Sequence, residues 1–80
     1  MKPIVEIVWH DAFADTESWI DLDSVDNLPC VVHTTGFLLH DVKEGHITVA
    51  QSCNDQGAFD CVLFIPVAMV RSMKVLNPPI

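Results

Sequence analysis

Apolar residues in this chain gather into short β-branched and aromatic runs separated by proline, glycine and acids, the pattern of strands joined by turns. Five runs qualify: residues 3–9, Cys30 to about His40, His46 to Cys53, Phe59 to Ile65 and Val70 to Leu76. The tightest junction lies between the last two. Proline donates no backbone hydrogen bond and holds φ near −65°, so the fourth run should stop at Pro66 and one short 3-10 turn should hand the chain to the fifth. Residues 41–45 and 54–57 read as the other turns, each ending in a glycine free to take positive φ. Residues at about 11–27 read as an acidic loop or short helix, for which Asp15 or Thr16 is the candidate cap. Asn77-Pro78-Pro79-Ile80 is a stiff tail. The chain is expected to be all-β, a single small domain over residues 1–80.

Period-two alternation assigns faces to these strands. In the first, Ile4, Glu6 and Val8 share one side and Val5, Ile7 and Trp9 the other; the side with Glu6 should be the more exposed. In the second, Val32 and Leu38 point inward, which leaves Phe37 and Leu39 outward and in need of a cover. Gly36 marks a sharp bend or the close approach of another backbone, as a small barrel needs at its corners. The third sets Ile47, Val49 and Cys53 against His46, Thr48, Ala50 and Ser52. The fourth is apolar on both sides, with Cys61, Leu63 and Ile65 on one and Val62 and Phe64 on the other. Such a strand, next to an edge strand, invites a second copy to continue its sheet. Trp19, Ile20, Leu22 and Val25 of the acidic loop should fold back on the barrel.

Composition sharpens this. A chain of 80 residues buries only roughly 60% of its unfolded surface, yet half of its residues are apolar. Part of that surface should be covered by another copy or a partner. The longest apolar segment, Cys61 to Val70, is about half a membrane span and contains a proline, and Glu6 interrupts any secretory core behind Lys2, so a cytoplasmic protein is expected. Three cysteines, Cys30, Cys53 and Cys61, are an odd number without metal-site pairing and read as buried thiols. Net charge is −7, with only Lys2, Lys43, Arg71 and Lys74 to meet phosphates. Long-range attraction to nucleic acid is therefore disfavoured.

Candidate chemistry is sparse. Asp21, Asp23 and Asp26 form a carboxylate ladder, but the glycine and bidentate Glu of a calcium loop are missing. His40, Asp41 and His46 flank one turn and have the donor types of zinc, but across a flexible turn they read as surface groups. No metal and no cofactor are expected. There is no nucleophile elbow, no glycine-rich phosphate loop and no anchored carboxylate pair, so no enzyme is expected.

The segment Ile65 to Met73 resembles the second motif of the Sm-like family, small five-stranded barrels of SH3 type with a short turn before the last strand. Ile65 matches its leading aliphatic, Val70 the following one and Met73 the closing one; the family's Arg and Gly are replaced here by Pro66 and Val67. Upstream, Gly36-Phe37-Leu38-Leu39-His40-Asp41 resembles the first motif, and Thr48 in His46-Ile47-Thr48-Val49-Ala50 stands where the family has Asn. The chain also resembles small, uncharacterised Sm-like proteins encoded by bacterial viruses. The family places a helix before its first strand, whereas here a strand comes first, so an SH3-like arrangement fits that half equally well.

The resemblance implies a strongly bent small barrel, Sm-like or SH3-like, that closes into a homo-oligomeric ring of five to seven subunits by pairing the fourth strand of one with the fifth of the next. Phe37, Leu39, Val62, Phe64 and Val70 are the expected interface. It also implies RNA at the inner rim and a viral protein in the cytoplasm of its host; a ring could equally hold small nucleotides in its intersubunit pockets, and Asp41, His46, Thr48 and Arg71 are the candidate contacts for RNA or nucleotide, with weak affinity. The alternative is an acidic adaptor, whose acid loop and outward apolar residues bind and occlude a host protein partner.

Overall fold

The computed structural model describes residues 2–12, 19–25 and 27–77. Five strands, β1 (Ile4–Asp11), β2 (Cys30–Leu39), β3 (His46–Cys53), β4 (Phe59–Pro66) and β5 (Val70–Val75), form one antiparallel sheet in the order β4-β3-β2-β1-β5. A 3-10 turn over Val67–Met69 joins β4 to β5, at the place where Pro66 ends the ladder. A second, Leu22–Ser24, lies in the acidic loop. The proposed cap at Asp15 or Thr16, the third aspartate Asp26 and the tail from Pro78 onward lie outside the described residues.

The short link between β4 and β5 bends the sheet. Strands are spaced about 4.8 Å apart, so the edges of a flat five-stranded sheet would be about 19 Å from one another. A 3-10 segment rises about 2 Å per residue, so the connection crosses less than half of that. The sheet must curl until its edges approach at that end. Curling explains how a sheet with no second layer among the described residues buries Val5, Ile7, Val49 and Ile65 almost completely. Trp9, Leu38, Ile47 and Val70 pack around this cluster, and the Trp9 indole N–H donates to Thr34 Oγ1 at 3.0 Å. As the alternation in β1 implies, Val5 and Ile7 are buried while Glu6 stays partly exposed.

The sheet is nevertheless open, and this corrects the expectation of a closed barrel. No hydrogen-bonded ladder joins β4 to β5 among the described residues. The core is filled next to the 3-10 turn, by Ile65 and Val70, and unfilled further along. There Leu63 of β4 and Met73 and Val75 of β5, which lie on or toward the core side, are exposed.

Beyond the core the β3–β4 hairpin runs on as a two-stranded arm. β2 pairs with β3 only at Phe37, Leu38 and Leu39 and then diverges, and residues 51–61, which carry the hairpin beyond those pairs, are exposed. The radius of gyration is 16.2 Å and the longest dimension 53 Å, whereas a compact domain of this length has a radius near 12 Å. The arm ends in a turn where the Asn54 side-chain oxygen accepts from the N–H groups of Gln56 (3.0 Å) and Ala58 (2.9 Å), with Gly57 at φ +81°. Its position overturns the expectation of buried thiols. Cys53 and Cys61 are exposed because they sit on the arm, and Cys30 is half-buried. Cys61 also holds φ +52° in mid-strand, an unusual conformation for a residue with a Cβ.

Trp19, Ile20, Leu22 and Val25 of the loop do not fold back on the sheet. Trp19 is fully exposed, and Ile20, Leu22, Val25 and Leu28 are open to solvent as well.

Candidate functional site

The turn between β2 and β3 needs two left-handed residues, Asp41 at φ +57° and Gly45 at φ +71°. Gly45 was legible as one; Asp41 was not, although aspartate tolerates this conformation better than most residues. The His46 N–H donates to the Lys43 carbonyl at 3.2 Å, closing the turn. The Val67 N–H donates to the Gly45 carbonyl at 2.9 Å, which staples the start of the 3-10 turn to it. Two distant segments are thereby brought together. Asp41, Lys43, Glu44, Gly45, His46 and Val67 line a solvent-open cavity of about 400 Å³, and all of them but the half-buried His46 are exposed.

Within this cavity the His46 ring is oriented by its Nδ1, 2.8 Å from the Glu44 carbonyl. A carbonyl only accepts, so Nδ1 carries the proton and Nε2 of the neutral ring is an acceptor. Asp41 and Glu44 supply negative charge, and Lys43 is the one cation among the lining residues. Its ammonium sits 5.2 Å from the centroid of the Phe64 ring, a cation–π contact worth about 0.5–1 kcal/mol at an exposed site.

Cross-strand pairing carries the site onto the sheet. Leu39, Thr48 and Phe64 lie directly opposite one another across β2, β3 and β4, and Phe37, Ala50 and Val62 form the next row. Directly opposed residues point to the same face. Phe37, Leu39, Val62 and Phe64 therefore share the face away from the core cluster. Their exposures differ: Val62 and Phe64 are each 40% exposed, Phe37 is half-buried, and Leu39, expected to face outward, is already buried within its own chain. Thr48, between Leu39 and Phe64, is 1% exposed, and its hydroxyl has no hydrogen-bond partner among the described residues.

No known family, curated protein or solved structure matches the chain.

The remaining candidates lie elsewhere. Val70 packs against the core cluster. The Arg71 Nε–H donates to His10 Nδ1 at 3.2 Å, so that guanidinium is engaged with the end of β1 and does not line the cavity with Asp41 and His46. His40 is exposed, and no group of three or more His, Cys, Asp or Glu able to hold a metal ion occurs among the described residues. No helix among them is long and apolar enough to cross a membrane. Sequence reasoning missed Lys43 as a member of the site, since its contact with Phe64 depends on a strand register that alternation does not specify.

Proposed function

We propose that the chain is a non-catalytic subunit of a homo-oligomeric ring, Sm-like in plan, in which β4 of one copy pairs with β5 of the next. One observation carries the reading: the two edge strands of the sheet are β4 and β5, and β4 exposes apolar side chains on both faces, Leu63 on one and Val62 and Phe64 on the other. An edge of this kind is a template for another strand over Val62 to Ile65, between the left-handed residue Cys61 and Pro66. The five strands and the short turn before the last one agree with the Sm-like resemblance, as does the meeting of Asp41 and His46 with Val67. Five to seven subunits, a viral origin and a place in the host cytoplasm go with that resemblance.

Weak binding of a nucleobase or small nucleotide fits the cavity at the β2–β3 turn. Its volume and the oriented His46 ring favour a flat polar ligand. Two carboxylates in the wall and a net charge of −7 keep phosphate affinity low. Light scattering tests the ring: the mass should be five to seven times that of one chain, and Phe64→Glu should reduce it to one. A wild-type monomer at tens of micromolar would end the proposal. Retention of oligo(U) or oligo(A) at low salt and its loss as salt rises tests the ligand.

The acidic adaptor is the second reading, and the exposed apolar residues beside Asp21 and Asp23 favour it.

A further inference from the structure

Trp19 is wholly exposed in the single chain, with Leu22 at 86%, and Asp21 and Asp23 lie between and beside them. An aromatic side chain of this size buries 150–250 Å² when it docks, and tryptophan is over-represented among residues that dominate interfaces. On the sheet, Val62 and Phe64 form an uncovered apolar strip on the outer face of β4, with the Lys43 ammonium beside it. The loop is apolar and acidic, and the strip is apolar with one cation, Lys43, over the Phe64 ring. We infer that the loop segment around Trp19 and Leu22 of one copy clasps the Val62–Phe64 strip of its neighbour in the ring, with Asp21 and Asp23 facing the neighbour's Lys43. This rests on the ring reading and says what covers the outer face of β4.

The register of the sheet makes the reach short. Every neighbouring pair of strands here is antiparallel, and continuing that pattern from β4 of one copy into β5 of the next sets the start of β5 beside the end of β4. Val70, near the start of β5, pairs with Trp9 near the end of β1, and the chain leaves the sheet at Asp11. The loop of the second copy therefore departs about two strand spacings, ~10 Å, from Phe64 of the first. Eighteen residues separate Asp11 from Cys30 (12 to 29). At about 3.3 Å per residue the tip of such a loop reaches ~30 Å, well beyond what is needed.

Three measurements decide it. The chain has two tryptophans, so Trp9→Phe leaves Trp19 as the sole reporter. In the assembled ring its emission should be blue-shifted from that of tryptophan in water, and it should move red as dilution lowers the mass. Trp19→Ala with Leu22→Ala should weaken self-association about 10- to 100-fold while the β-sheet circular dichroism is unchanged. Lys43→Glu and Asp21→Lys with Asp23→Lys should each weaken assembly severalfold, and the combination should restore it.

The outcomes separate the two ideas. A wild-type monomer defeats the ring itself. A ring that forms with unchanged affinity after Trp19→Ala and Leu22→Ala, or one whose Trp19 emits as in water, leaves the ring standing and overturns the clasp. A blue-shifted Trp19 in a particle of one chain means docking on its own sheet, and that also overturns it.

Discussion

The carbonyl oxygen of Ala50 lies 2.7 Å from the point that a Cβ on Gly36 would occupy. No flexible side chain is available to yield there, because the obstacle is backbone. Gly36→Ala would force β2 and β3 apart just before the three pairs that join them, Phe37, Leu38 and Leu39. Overpacking of this kind costs about 1–3 kcal/mol. Urea denaturation should show a lower midpoint at constant slope, and an unchanged midpoint would mean that the strands separate freely.

Thr48 gives the opposite sign. Its hydroxyl is buried without a partner among the described residues, and such a group carries a desolvation cost of about 1–3 kcal/mol. Thr48→Val has nearly the same shape and removes the group, so stability should rise by about 1 kcal/mol in thermal or urea unfolding. If the same variant also loses retention on oligo(U), the hydroxyl serves a ligand. A fall in stability would show that the assembled protein satisfies it.

Ile65 and Leu63 are two residues apart on one face of β4 and differ in depth. Ile65 is fully buried, whereas Leu63 is 39% exposed. Ile65→Ala should remove about 2–5 kcal/mol, a large part of the stability of a domain this small. Leu63→Ala should remove less than about 1 kcal/mol from the fold of a single chain. Comparable losses, measured under monomeric conditions, would mean that the core extends along β4.

Asn54 holds the tip of the arm through two side-chain bonds, to the N–H groups of Gln56 and Ala58. Asn54→Ala forfeits both, each worth about 1 kcal/mol. A two-stranded ribbon is only marginally stable alone, so amide exchange should quicken over residues 52–60 while Val5 and Ile7 stay protected. Uniform acceleration would show that arm and core unfold together.

Strand positions and the short turn before β5 were legible because β-branched runs, Pro66 and the turn glycines act locally. The close approach at Gly36 was legible for the same reason. Closure was not: whether β4 and β5 meet depends on how far the core fills, and alternation alone cannot tell that Leu63 and Met73 stay open while Ile65 is covered. The cysteines were misread because burial preference is an average, and the projecting arm that holds Cys53 and Cys61 departs from it. At the site, Asp41 and His46 could be placed in one turn from sequence. Arg71 was assigned to the same neighbourhood, but the pairing of β1 with β5 sets it beside His10.

The bend at residues 54–57 stands at the far end of a ribbon that lacks core contacts, so its length is decoupled from folding. Foreign sequence spliced there should be tolerated, since doubling a flexible loop costs only about 0.6 kcal/mol.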